Sequence, residues 1–235
     1  GSIKLHCGDM FGGAQPTGAV VSLAEVRVLT PTQPSKMVAL WNNFHALAAK
    51  LGNPEPPEPL YFLKGNNSFL AHGETIRVPA SYSGKVVYEG ELGIVIGRRC
   101  KAVAEADAPA CIFGYTCIND VTAAEILNKD ATFAQWSRAK SFDTFGVFGP
   151  VIATGLDPSA LVVKTILNEQ ERQSYPVADM IFSPARLLSL ISRDMTLEPG
   201  DVIACGTSVG VGSMKPGSKV SIVIEGIGEL SNRYE

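Results

Sequence analysis

Residues 86–97, VVYEGELGIVIG, decide the fold: they form a run of β-branched and aromatic residues in which two glutamates flank a glycine. The composition predicts a strand. Strand side chains alternate between faces, so Val86, Tyr88, Leu92, Ile94 and Ile96 share one face with Gly90, an apolar face suited to a core. Glu89 and Glu91 point the other way, about 6.5–7 Å apart along the backbone at the usual rise, beside Val87, Gly93 and Val95.

A strand with one solvated face would account for the two glutamates, and that is the commoner origin of such a pair. The flanking valines weigh against it. If the glutamate face is also covered, the two anions must be protonated, paired or bound to a cation, because uncompensated burial costs on the order of several kcal/mol per charge. Asp120, in FGYTCINDVTAAE, closes another β-rich run beside an expected helix start, where an Asn-Asp step by itself reads as a turn or cap. With Glu89 and Glu91 it would complete a set of hard oxygen donors that leaves positions open for water and substrate. Such a set suits Mg2+ or Mn2+ better than zinc.

Outward from this stretch, strand signals dominate: YFLK, VFGPVIAT, LVVKTIL, GDVIACGT and KVSIVIEG are rich in β-branched and aromatic residues, and Pro199-Gly200 and Pro216-Gly217 mark turns before two of them. Three helices are expected among them. One is NNFHALAAKLG, closed by Gly52; one surrounds VTAAEIL; one begins SPARLLSLIS, with Ser183 as cap and Pro184 in the first turn. NPEPPEPL, residues 53–60, reads as a stiff surface connection because proline neither donates to a ladder nor continues a helix. The pattern predicts an α+β, β-rich fold, with residues 1–40 as a small β-rich region and residues 41–235 as the main domain. FGGAQPTG and GTSVGVG lack the lysine and the strand-to-helix setting of a phosphate-binding loop.

The chain has 235 residues, of which 46% are hydrophobic and 18% charged, enough for a sizeable core. With 23 acidic against 20 basic residues and a net charge of -3, it lacks the basic surface that nucleic acid binding requires. No apolar run reaches the ~18–20 residues that span a bilayer. The expectation is a soluble, cytoplasmic protein. Cys7, Cys100, Cys111, Cys117 and Cys205 form an odd set without a C-x-x-C pair, and His6, His45 and His72 are scattered, so neither a disulfide frame nor a thiolate or histidine metal site is expected.

In order and spacing, YEGELGIVIG, GYTCINDVTA, RAKSFDTFGVFGP and LEPGDVIACGTSVGVG resemble the fumarylacetoacetate hydrolase superfamily from about residue 37 to the C-terminus. The resemblance implies a mixed β-roll, commonly dimeric, and a divalent ion, usually Mg2+, held by Glu89, Glu91 and Asp120. It also places Lys140 in the active site and assigns Thr207 to the substrate carboxylate. His45 falls where the family often carries a catalytic histidine on a mobile lid.

Three positions depart from the family pattern. Ala48 stands where hydrolytic members place a glutamate that pairs with the histidine, and Ala124 and Leu127 stand where members acting on oxo-diacids often have Arg and Gln. Family substrates share a 2-oxo acid or 1,3-dioxo unit that chelates the ion, which acts as a Lewis acid toward an enolate. Water attack needs a base held in orientation by a partner, whereas a proton shift needs only His45 or Lys140. The leading expectation is therefore keto-enol or double-bond isomerisation of a small oxo acid, as in hydroxyheptadienedioate isomerases of aromatic catabolism or oxaloacetate tautomerases. C–C bond hydrolysis of an acylpyruvate-like substrate, or decarboxylation, is the alternative, and a binding protein without turnover is a second.

Overall fold

In the computed structural model, which describes residues 1–235, the VVYEGELGIVIG run is two strands rather than one. Val86–Tyr88 lies between Thr122–Ala123 and Gly212–Met214 in a three-stranded sheet, while Gly90–Ile96 lies between Ile112–Asp120 and Val202–Ala204 in a seven-stranded one. Glu89 is the corner between them. Gly90 permits the corner because a Cβ there would lie 2.1 Å from Thr165 Oγ1 and 3.0 Å from Ile222 Cδ1, atoms of a facing sheet. A glycine inside a strand marks such a close approach.

The seven-stranded sheet runs Leu60–Lys64, Met37–Trp41, Val202–Ala204, Gly90–Ile96, Ile112–Asp120, Gly146–Ala153, Phe69–Leu70. It is mixed: Val202–Ala204 is parallel to Met37–Trp41 and antiparallel to Gly90–Ile96. A five-stranded sheet, in the order Gln170–Pro176, Val162–Leu167, Ser218–Ile224, Gly228–Tyr234, Thr75–Ile76, packs across it. Leu92, Ile94 and Ile96 meet Val163, Val220, Ile222 and Ile224 in the main core, as the alternation predicts. The opposite face of the large sheet is covered too. Met37, Ala39, Phe62, Val95, Ile118, Phe148, Val202 and Ala204 form a second, smaller cluster there, so the reading of a solvated glutamate face fails.

The long helix, Pro184–Asp194, buries Leu187, Leu188 and Ile191 and is capped by Ser183, whose Oγ accepts from the Arg186 N–H at 3.3 Å. His45–Leu51 ends at Gly52 in the left-handed region, φ 68°. The helix expected around VTAAEIL reduces to a two-residue strand, Thr122–Ala123, and a 3-10 turn, Ala124–Ile126. Thr122 and Ala123 pair with Val87 and Val86, and the Thr122 hydroxyl is held by Glu89, which removes the first helical turn. A short helix that the pattern did not announce, Trp136–Lys140, carries Lys140 inward.

At the N-terminus, Ser2–Cys7 and Gln15–Ser22 form an antiparallel hairpin, almost wholly exposed. Met37–Trp41 already lies inside the seven-stranded sheet. No helix is long and apolar enough to cross a membrane. All five cysteines are free, and only Cys7 is exposed. The architecture is an α+β mixed β-roll with a few short helices.

Candidate metal centre

The strand register builds the acid cluster. Gly90 stands opposite Asn119, which sets Asp120, the last residue of its strand, beside the Glu89 corner. The Asp120 N–H donates to the Glu89 carbonyl at 2.9 Å, and the Glu89 N–H donates to Asn119 Oδ1 at 3.1 Å. One carboxylate oxygen from each of Glu89, Glu91 and Asp120 lies within 4.8 Å of the other two. All three side chains are buried, Glu91 and Asp120 completely.

Two buried lysines face them. Lys140 Nζ donates to Glu89 Oε2 at 2.8 Å and to Asp120 Oδ2 at 2.6 Å, and its ammonium sits 5.2 Å from the centre of the Phe62 ring. Lys64 Nζ donates to Asp120 Oδ1 and, at 3.4 Å, to the Val121 carbonyl. Burial opposes the charge of Lys140, but the Asp120, Glu89 and Glu91 carboxylates prevail and raise its pKa above the usual lysine value. For Lys64 burial prevails and lowers the pKa despite Asp120. Burial likewise opposes ionisation of Asp120, yet the two ammoniums hold its carboxyl below the ordinary range.

Glu91 is the odd member. Its Oε2 accepts from the Gly206 N–H at 2.9 Å, while its Oε1 is buried without any hydrogen-bond partner. Burial first, then the Asp120 and Glu89 charges, push its pKa well above the carboxylate range. Three carboxylates against two ammoniums leave one formal negative charge in a buried site. A fully buried carboxylate oxygen without a hydrogen-bond partner, on a residue of this cluster, is free to bind a cation, so the donor set fits a hard divalent ion bound through oxygen.

A polar brace holds the Glu-Gly-Glu backbone. The Gly90 N–H donates to Gln173 Oε1 at 3.0 Å, and the Gly90 carbonyl accepts from the Tyr175 hydroxyl and, at 2.9 Å, from Thr207 Oγ1. Thr207 also accepts from Gln173 Nε2 at 3.0 Å, so the structure brings it next to the cluster with its hydroxyl turned to the backbone. His45 is not bonded to the cluster: it is exposed, and its Nδ1 lies 2.6 Å from Glu55 Oε1 in the NPEPPEPL segment. Ala48 is a buried methyl on the same helix, and Leu127 packs against the main core.

Lys64, Gln173 and Tyr175 escaped the sequence reading. The one signal for Lys64 is its parity with Phe62, the buried position of YFLK. Gln173 and Tyr175 carry no local signal at all.

Residues 36–235 match the family described as fumarylacetoacetate (FAA) hydrolase C-terminal, and residues 1–31 match one described as Rv2993c-like, N-terminal. The crystal structure of 2-hydroxyhepta-2,4-diene-1,7-dioate isomerase from Mycobacterium marinum superposes with a TM-score of 0.91 at 40% identity, covering 99% of this chain and 87% of that one. Oxaloacetate tautomerase YisK of Bacillus subtilis is 35% identical over 226 residues, 90% of this chain and 74% of the relative. Maleylpyruvate hydrolase from Sphingobium sp. SYK-6, solved with manganese(II) and pyruvate, superposes with a TM-score of 0.78 at 32% identity, covering 92% of this chain and 76% of that one. With the family match running through every strand that carries the acid cluster, the chain belongs to the fumarylacetoacetate hydrolase family.

Proposed function

We propose that the chain is a divalent-metal-dependent enzyme that shifts a proton on a small 2-oxo or 1,3-dioxo acid, interconverting keto and enol forms or moving a double bond. The observation that carries this reading is the buried Glu89, Glu91 and Asp120 cluster with its unpartnered Glu91 oxygen. These three residues would hold the ion, Mg2+ by resemblance or Mn2+ as in the Sphingobium relative. The ion supplies Lewis acidity that stabilises negative charge on the oxygens of an oxo acid.

The chain's own groups explain the substrate class. A divalent cation turns the formal charge of the site from -1 to +1, which favours a monoanionic carboxylate over a neutral ligand. Lys140 offers its ammonium to that carboxylate, and developing charge is stabilised by a donor already in place. Thr207 can turn its hydroxyl to the same group because Tyr175 still satisfies the Gly90 carbonyl. His45 takes and returns the proton. The isomerase and tautomerase relatives support a proton shift. C–C hydrolysis is the second reading, favoured by the His45–Glu55 contact, since an imidazole paired with a carboxylate can also activate water.

The proposal extends to organisation. Residues 1–40 would serve as an accessory region to a catalytic body over residues 41–235, whose sheet takes in the last of them, residues 37–40, and the proposal is supported by the position of every site residue beyond residue 40. A homodimer is supported by the exposed apolar side chains Leu5, Val20, Leu23 and Leu29 near the N-terminus. A cytoplasmic setting is supported by the five free thiols.

The test is to incubate the purified protein with Mg2+ or Mn2+ and a panel of oxo acids, following enol absorbance and cleavage products separately. Isomerisation without cleavage is expected. Faster cleavage than isomerisation overturns the first reading in favour of the second, and turnover that survives complete chelation removes the metal from the account.

A further inference from the structure

We infer that Gln173 and Tyr175 are positioning residues that make the Thr207 hydroxyl a donor to the substrate carboxylate, an inference that rests on the oxo-acid reading above and deepens it. Both lie on the edge strand Gln170–Pro176, two positions apart, so strand alternation sends them to the same side, where both are buried between exposed neighbours. Each acts through Thr207.

Two contacts seat Thr207 against the acid cluster. Its Oγ1 donates to the Gly90 carbonyl, between Glu89 and Glu91, at 2.9 Å, and the preceding residue, Gly206, gives its N–H to Glu91 Oε2 at 2.9 Å. Gln173 then decides which way the Thr207 proton faces. Its Oε1 accepts from the Gly90 N–H at 3.0 Å and from the Thr165 hydroxyl at 2.7 Å, while its Nε2 donates to Thr207 Oγ1 at 3.0 Å and to the Ser208 and Val209 carbonyls at 3.2 and 3.3 Å. A backbone N–H only donates and a carbonyl only accepts, so the main chain forbids turning the amide over. Thr207 Oγ1 must receive a proton from Gln173 and direct its own elsewhere.

That proton goes to a carbonyl which is served twice. The Gly90 oxygen has two lone pairs, and it accepts from the Tyr175 hydroxyl as well as from Thr207. Burial first, then the Glu91 charge, raise the Tyr175 pKa well above the tyrosine value, so its hydroxyl keeps the proton it gives to Gly90. Thr207 can therefore leave the carbonyl without exposing a bare acceptor. The group that draws it away must offer lone pairs, and a carboxylate, whose bond to a hydroxyl is charge-assisted, does so best.

Titration calorimetry of the Mn2+-loaded protein with pyruvate, the oxo acid that the Sphingobium relative holds, tests the arrangement. Tyr175→Phe keeps the edge-on contact with Phe44, at 4.9 Å between ring centres, and leaves the Gly90 carbonyl its bond from Thr207, so the variant should fold and bind Mn2+ as the wild type does. Its pyruvate binding should weaken about tenfold, because Thr207 can now reach the carboxylate only by leaving a buried carbonyl bare. In a Thr207→Val background the same change should leave pyruvate affinity unaltered. Gln173→Met, which removes the donor to Thr207, should likewise weaken pyruvate binding only where Thr207 is present. Because Gln173→Met also strands the Gly90 N–H, Tyr175→Phe is the deciding variant. Wild-type pyruvate affinity in Tyr175→Phe, an equal loss in both backgrounds, or a parallel loss of Mn2+ each overturn the inference. A Mn2+-loaded wild type that binds no pyruvate overturns the oxo-acid reading itself, which losses confined to the variants cannot do.

Discussion

Replacing Glu91 by Gln separates the two things this side chain does. The amide keeps an oxygen for the Gly206 N–H, whose bond to Glu91 Oε2 is 2.9 Å, and puts an NH2 group where Oε1 has no partner, on a residue clustered with the Glu89 and Asp120 carboxylates. A buried unpartnered polar atom costs about 1–3 kcal/mol. At ~2–4 °C per kcal/mol for a chain of this size, metal-free Glu91→Gln should melt about 2–12 °C above the wild type near pH 8. The pH dependence has a definite sign. Burial and the two neighbouring anions raise the folded-state pKa of Glu91 above its unfolded value, so the folded protein holds a proton that the unfolded chain has released. Stability from this group is fully present below the ordinary carboxylate range and is lost as pH rises through the raised value. The gap between variant and wild type should therefore close in acid. Addition of Mn2+ at a hundredfold excess over its Kd should raise the wild-type melting temperature by about 5–11 °C, from ~2.7 kcal/mol of linkage, and leave the variant unmoved. Differential scanning calorimetry with and without chelator reads both effects. A metal-free variant that melts below the wild type, or one that keeps the metal-induced shift, refutes the reasoning.

Lys140→Ala should cut kcat/KM by about a hundredfold while Mn2+ binding by calorimetry stays equal or tightens, because one competing cation has left the carboxylates; loss of the ion would reassign Lys140 to metal binding. Lys64→Met leaves the fully buried Asp120 with one cation instead of two and should destabilise the metal-free protein by about 3–5 kcal/mol in denaturant titration. A variant as stable as wild type would show that Lys64 is not charged in the fold. Gly90→Ala drives a methyl into Thr165 Oγ1 and should cost about 3 kcal/mol or more together with Mn2+ affinity, checked by chemical denaturation and calorimetry; a neutral result would contradict the tight approach of the two sheets.

The acid cluster was largely legible in the sequence because its logic is local. Two carboxylates amid valines raise a question that only a covered face and a cation answer, and Val95 and Ile118 do cover it. The two-residue alternation also placed Leu92, Ile94 and Ile96 correctly. It failed at Glu89, where the strand turns from one sheet into another, since the neighbouring Gly90 is packed against Thr165, seventy-five residues further along the chain. VTAAEIL looked helical for the same reason: its composition allows a helix, and only the pairing of Thr122 with Val87 forbids one. Lys64 gave only its parity with Phe62 as a sign, because a lysine closing YFLK is as compatible with solvent as with a buried anion. Glu55 was hidden inside a stretch whose prolines announce only a connection, while its carboxylate depends on where those prolines aim the chain.

The insertion of Val202–Ala204 between Met37–Trp41 and Gly90–Ile96 carries a consequence for biosynthesis. Until that late segment is made, the two strands destined to flank it each present an unpaired ladder edge, and the Gly206 N–H that Glu91 requires does not yet exist. The nascent chain is thus adhesive along those edges until residues 202–204 are made, and the backbone donor that fixes Glu91 is among the last parts of the site to be synthesised.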